Sequence, residues 1–307
     1  PPAPFAGEVW YNSTSATVKY FAVLTGSWAT GGNLGTGRYN LGGVGTQTAG
    51  LAFGGGPSVP SVGNLTEEYN GSAWTGGGNL TTSRESLAGA GTQTTGLAFG
   101  GRSAPPRQSL NATEEYNGSS WTNGGNLGTA RYFLAGAGTQ TAGLAFGGAG
   151  PSPTNATEEY GGTSWTAGGN LGTAKSALAG VGTQTAGLAI GGSPGGSNET
   201  NASEEYDGSS WTAGGTMNTA IRYLAGCGLQ TAALAFGGLG NSIPTQTEEY
   251  DGSSWTTGGN LNIARLRLGG AGTQTAGLGF GGQAPPDKNA TEEYTGGGPT
   301  TLTVGTD

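Results

Sequence analysis

Apolar residues in this chain recur in short clusters of period two, and no stretch shows the three-to-four spacing of an amphipathic helix. In GLAFGG, Leu144 and Phe146 fall on one face of an extended segment from Gly143 to Gly148. LAGAG, from Leu134 to Gly138, is small at nearly every position, ATEEY ends at Tyr160, and SSWT stands at Ser119 to Thr122. The pattern predicts four strands per unit, a to d, in the order LAGAG, GLAFGG, ATEEY, SSWT. Between c and d stand Asn70-Gly71, Asn117-Gly118, Gly161-Gly162, Asp207-Gly208 and Asp251-Gly252. Such pairs predict a two-residue type I′ hairpin, in which both central residues take positive φ.

The unit recurs. A glycine doublet begins at Gly54, Gly100, Gly147, Gly191, Gly237 and Gly281, and Glu-Glu-Tyr ends at Tyr69, Tyr116, Tyr160, Tyr206, Tyr250 and Tyr294. A tryptophan follows at Trp74, Trp121, Trp165, Trp211 and Trp255, but Pro299 holds that place after Tyr294, and the missing one is Trp28 near the other end. A repeat in the mid-forties with one unit split between the ends predicts an all-β fold, a six-bladed β-propeller. Small residues suit strand a near the axis, and tryptophan suits the outer strand d. The last blade takes strands a to c from about Leu268 to Tyr294 and strand d from Ser27 to Thr30, which zips the ring shut and removes its edges. The expected organisation is a connector over residues 1–24 with a hairpin in GEVWYNSTSATVKYF, a propeller over 25–298 and a tail over 299–307.

Composition narrows the chemistry. The 67 glycines among 307 residues suggest disorder, but a strict period with regularly placed tryptophans argues for packing. No apolar run approaches the roughly 20 residues of a membrane-spanning helix, and no signal-peptide pattern is present. A start at Pro1-Pro2 without methionine suggests a processed or partial chain. The single Cys227 takes the place of Ala137 in strand a, reads as a small buried residue and allows no intrachain disulfide. A net charge of -8 argues against nucleic acid or an anionic membrane as partner. With no histidine there is no Ser-His-Asp or Cys-His arrangement and no imidazole metal site, so neither cofactor nor metal is expected.

Internal comparison of the repeats points to one face. Each tryptophan precedes the next glycine doublet by 26 residues, whereas the second glycine precedes the tyrosine by 12 to 15. Length therefore varies only in the b-to-c loop. The d-to-a connection, which shares its face, changes in content: Arg38-Tyr39-Asn40, Arg84-Glu85-Ser86, Arg131-Tyr132-Phe133, Lys175-Ser176-Ala177, Ile221-Arg222-Tyr223 and Arg265-Leu266-Arg267. The a-to-b turn is nearly always GTQTAG, so binding belongs on the variable face. The basic series Arg38, Arg84, Arg131, Lys175 and Arg265 either rings a ligand such as an acidic sugar, or pairs with a neighbouring blade's glutamate or supports the d-to-a turn. Tyr39, Tyr132 and Tyr223 stack on sugar rings or pack against the next blade. Arg102, Arg107, Arg222, Asn64, Asn198 and Asn241 read as specificity residues or as solvated loop. Twelve of nineteen acidic residues are the repeated glutamate pairs, and one member of each pair should face a neighbouring blade and be hydrogen-bonded there.

Glycine doublet, tyrosine and tryptophan in this order resemble the kelch repeat over residues 25 to 298. NATEEYNGSSW and NLGTARYFLAGAGTQTAGLAFGG, with the GEVWYNSTSATVKYF hairpin before them, resemble repeats in tail-fibre and virion proteins of marine bacteriophages. The resemblance implies a propeller displayed on a virion surface or extracellularly, without enzymatic activity, attaching to host cell-surface glycan or receptor. Its expected partners include further virion subunits, with a homo-oligomer in the assembly. The alternative is a structural decoration or filament subunit. A third reading is a glycoside hydrolase acting on acidic sugars through Glu85, Glu199 or Asp287. Kelch-type copper oxidases use histidine ligands, which excludes that activity. Asparagine sequons lead into strand c at Asn64, Asn111, Asn155, Asn201 and Asn289, acceptors in a glycosylated filament and bare in a bacteriophage product.

Overall fold

The computed structural model describes residues 9–14, 17–56, 63–103, 106–196, 198–283 and 289–304. They form six antiparallel four-stranded sheets and one three-stranded sheet, with no helix among them. Blade 3 consists of Ala135–Gly138, Gly143–Phe146, Thr157–Tyr160 and Trp165–Ala167. Blades 1, 2, 4 and 5 repeat it within 42–76, 88–123, 179–213 and 225–257. Blade 6 is Gly269–Gly272, Ala276–Phe280 and Thr291–Thr295, completed by the N-terminal Ser27–Thr30 with Tyr294 opposite Trp28. The six-bladed propeller and its closure are as the repeat predicts.

Three belts of contacts tie each blade to the one before it. Trp121 packs at a tilt against Phe53 at 5.1 Å between centroids, and its Nε1 donates to Thr66 Oγ1 at 2.9 Å. Gln93 in the a-to-b turn donates to the carbonyls of Gly50 and Tyr69, which is why GTQTAG hardly changes. The second glutamate of each pair faces the next blade and accepts a tyrosine hydroxyl: Tyr116 to Glu68 at 2.6 Å, Tyr160 to Glu115, Tyr206 to Glu159, Tyr250 to Glu205, Tyr294 to Glu249, and finally Tyr69 to Glu293 at 2.6 Å, closing the circle. Each such bond contributes about 1 kcal/mol and each aromatic pair about 0.5–1.5 kcal/mol beyond its buried area. With all three belts present at every junction between blades, no single loss opens the ring; the belts act together.

The tyrosine belt makes the fold alkali-sensitive. Burial, then the bond to glutamate, pushes Tyr69, Tyr116, Tyr160, Tyr206 and Tyr250 up to about 12, and Tyr294 moves in the same direction. The folded values lie above the unfolded value of about 10. The stabilisation is therefore complete below about pH 10 and is lost as pH rises through about 12. In an ultraviolet titration, six of the eleven tyrosines should ionise only together with loss of the β-sheet circular dichroism. Ionisation of all eleven near pH 10 with that signal intact would contradict this.

One expectation is corrected. The c-to-d connections are not two-residue type I′ turns: Tyr69 pairs with Trp74, leaving four residues between, and only Gly71 of the Asn70-Gly71 pair has positive φ. The Asn70 side chain accepts the N–H groups of Ser72 and Ala73, a turn held by its own first residue. Asp207 and Asp251 do the same, and those backbone and hydroxyl donors hold their carboxyls at about 2. The expected tail contains a strand, Gly298–Val304, which pairs with Thr17–Leu24 of the N-terminal hairpin, itself completed by Val9–Asn12.

Candidate binding face

Every d-to-a connection has the same three-residue construction, and each residue goes to a different place. The first, basic residue turns into its own blade. Arg131 is fully buried, donates to the carbonyls of Gly147 and Ala156 and pairs with Glu158 at 3.0 Å. Arg38–Glu67, Arg84–Glu114, Lys175–Glu204 and Arg265–Glu292 repeat the pair. Burial lowers the pKa of each of these bases, and the partner carboxylate opposes that shift. Arg131 and its equivalents therefore do not ring a ligand; they are ion-paired, but with a glutamate of their own blade rather than the neighbouring blade's that the sequence suggests. Blade 5 has Ile221 in this place, and its Glu248 is held instead by Asn218, Thr219 and the Gln246 amide, with its pKa raised by burial.

The second residue bridges to the start of the b-to-c loop. Tyr39 pairs with Gly56, Glu85 with Arg102, Tyr132 with Ala149, Ser176 with Ser193, Arg222 with Leu239 and Leu266 with Gln283. These bridges put the d-to-a connections and the b-to-c loops on one end of the propeller. Tyr39 is buried by this arrangement, which corrects its reading as a stacking residue, whereas Tyr132 and Tyr223 are half-exposed.

The third residue reaches the axis. Asn40, Ser86, Phe133, Ala177, Tyr223 and Arg267 all have φ between 52° and 59°. Each donates its N–H to the carbonyl of its predecessor around the ring, Ser86 to Asn40, Phe133 to Ser86, Ala177 to Phe133, Tyr223 to Ala177, Arg267 to Tyr223 and Asn40 to Arg267. This closed backbone circle surrounds a cup of about 90 Å³ on the axis.

Side chains around the cup are unequal. Phe133 and Tyr223 meet edge to face at 5.0 Å, and Tyr132 lies 5.3 Å from Phe133. Arg102 lies 5.0 Å above Tyr132, Arg267 4.5 Å above Tyr223, and Arg222 5.3 Å from Tyr223. Arg102 and Arg107 both pair with Glu85, at 2.9 and 3.2 Å, and Asn40 donates to its other oxygen. Arg222 pairs with Glu199 at 3.1 Å. The result is a band of aromatic rings and guanidinium groups across the mouth from blade 2 to blade 6.

The remaining candidates separate. Asn64 is not a special loop residue: its amide donates to Leu80 O as Asn111 does to Leu127 O, Asn155 to Leu171 O and Asn201 to Met217 O. A glycan on any of these four nitrogens would take one of its two N–H hydrogens and crowd a part-buried amide already committed to that bond, which weighs against them as acceptors. Asn289 takes part through its backbone carbonyl, which accepts from Leu34. Asn198 and Asn241 are exposed, and Asn241 borders a second, polar cavity of about 370 Å³ with Glu199, Asn218 and Gln246. Asp287 lies outside the described residues. Sequence reasoning missed Phe133 and Arg267, whose side chains converge only because the positive φ turns the third residue toward the axis.

No family model matches the chain, and no curated protein does. A solved structure titled "Structure of YjhT" superposes with a TM-score of 0.70 at 13% identity, covering 88% of this chain and 99% of that one. At that identity the likeness speaks for the kelch-like propeller fold.

Proposed function

We propose that the chain is a non-enzymatic attachment module that binds cell-surface glycan at the axial mouth of its variable face, displayed on a virion or other extracellular surface. The observation that carries this reading is the band formed by Tyr132, Phe133, Tyr223, Arg102, Arg222 and Arg267. Half-exposed aromatic rings offer flat apolar faces to sugar C–H groups, and arginines beside them offer several donors to hydroxyls or acidic groups. In a chain of net charge -8, the described arginines outside the blade ion pairs all gather here. The face acids are already engaged: Glu85 has two arginines and Asn40, and Glu199 has Arg222. That arrangement favours binding over hydrolysis.

The test is a glycan-array and whole-cell binding assay on the protein beside a Tyr132→Ala, Phe133→Ala, Tyr223→Ala variant. The ring position already carries Ala177, so the fold should survive. Selective binding weakened about tenfold or more in the variant is expected, tenfold being about 1.4 kcal/mol. Absence of binding to any glycan or cell by the parent would overturn the reading and leave subunit assembly as the better account.

A further inference from the structure

Arg267 differs from every other described arginine: it has no carboxylate partner. Arg38, Arg84, Arg131 and Arg265 pair inside the blades, and Arg102, Arg107 and Arg222 pair on the face. The guanidinium of Arg267 lies over Tyr223 and 6.0 Å from Phe133, and its Nη1 reaches only the Gln283 amide oxygen, at 3.3 Å. Its Nε is buried with no hydrogen-bond acceptor, as are those of Arg38, Arg84, Arg131, Arg222 and Arg265, so what sets Arg267 apart is the missing carboxylate. On the same cup, the Ser86 hydroxyl is also without a partner, in a residue only 4% exposed. A positive charge with an unused donor and an unused buried hydroxyl thus share a cup about 90 Å³ in volume.

Such a pair of orphaned groups is costly unless something fills it. From this geometry, and resting on the glycan reading above, we infer that the mouth selects an acidic saccharide, with one pendant anionic group, carboxylate or sulfate, seated on Arg267. The planar guanidinium suits a two-oxygen acceptor. The aromatic walls exclude water on two sides, so the attraction is less screened than at an open surface. Ser86 donates to the same anion or to the adjoining hydroxyl, and Phe133 and Tyr223 flank the ring that carries it. The circle places one such charge on the axis, so one anionic residue is held per propeller.

The fold provides its own control for the test. The backbone at Asn40 has φ 57° and at Arg267 φ 59°, so Arg267→Asn places at the mouth a residue that the ring already accepts. Binding is measured by surface plasmon resonance to matched probes: oligogalacturonate against its methyl ester, and sulfated carrageenan oligosaccharide against the same oligosaccharide desulfated. At least one acidic member should bind about tenfold to a hundredfold tighter than its neutral match, the range of a charge-assisted hydrogen bond. Arg267→Asn should abolish that preference, weakening the acidic probes about tenfold or more beyond any loss shared with the neutral ones. Lys19→Gln, the same charge change in the terminal sheet, should change neither. Which pair shows the preference distinguishes carboxylate from sulfate. Equal binding of acidic and neutral probes, or a preference that survives Arg267→Asn, would overturn the inference and leave the glycan reading standing. Failure to bind any glycan in the array would overturn both.

Discussion

Arg265→Ile is expected to destabilise the propeller by about 3–5 kcal/mol, because it strands a buried carboxylate. Arg265 donates to the carbonyls of Gly281 and Ala290 and pairs with Glu292 at 2.8 Å, all inside blade 6. Glu292 is 1% exposed and cannot turn to water. Blade 5 shows how the same site is built without a base. There Ile221 replaces the arginine, and the Gln246 amide donates to Glu248 at 3.0 Å while its oxygen accepts from Thr219 at 2.9 Å. Adding Ala290→Gln and Ile263→Thr to Arg265→Ile transplants that solution, with Asn262 already supplying what Asn218 supplies. The triple variant should recover all but about 1–2 kcal/mol, since a neutral amide now satisfies the carboxylate. Urea unfolding measures both. A single variant that loses almost nothing, or a triple variant no better than the single, would show that the ion pair is not what holds the blade.

The second large effect concerns the inner strands. A Cβ on Gly136 would stand 2.6 Å from the Gly89 carbonyl oxygen of the preceding blade and 2.6 Å from the Phe99 ring. The backbone of the neighbouring blade cannot yield without opening the circle, so Gly136→Ala should cost about 3 kcal/mol, the upper range of overpacking. Gly226 holds the equivalent place in blade 5, but its Cβ would meet nothing nearer than Val181 at 3.1 Å. The relief comes from blade 4, where Ile190 stands in the position of Phe99. Gly226→Ala should therefore change stability by under about 1 kcal/mol, its crowding offset by the entropy that glycine loses on folding. Ile190→Phe should make the same Gly226→Ala as damaging as the change at 136. Equal melting temperatures for the two single variants would refute this account of the small inner strand.

Much of the fold was legible because packing repeats. Trp28 standing apart from its five partners identified the split blade, and strict Trp-to-glycine spacing identified which loops are free to vary. One glutamate of each pair is expected to face a neighbour, and it is the second, bonded to the next blade's tyrosine. The site was less legible, because a residue triplet in sequence does not state which of its members is buried. Arg131 is the conspicuous cation of its connection and goes inside, while Phe133 beside it reaches the axis. Asn64 was hidden by the same limitation in reverse: its role in tying a loop to Leu80 appears only when the blades are superimposed. The c-to-d turn was misread because Asn-Gly satisfies two turn chemistries, and the Tyr69–Trp74 register selects the longer one.

The backbone circle at the mouth keeps one conformation whether the residue is Asn40, Ser86, Phe133, Ala177, Tyr223 or Arg267. Duplication or exchange of a single repeat would thus deal a new combination of side chains to the axis without disturbing the frame. What the six units inherit in common is architecture; what they are free to shuffle is the ligand.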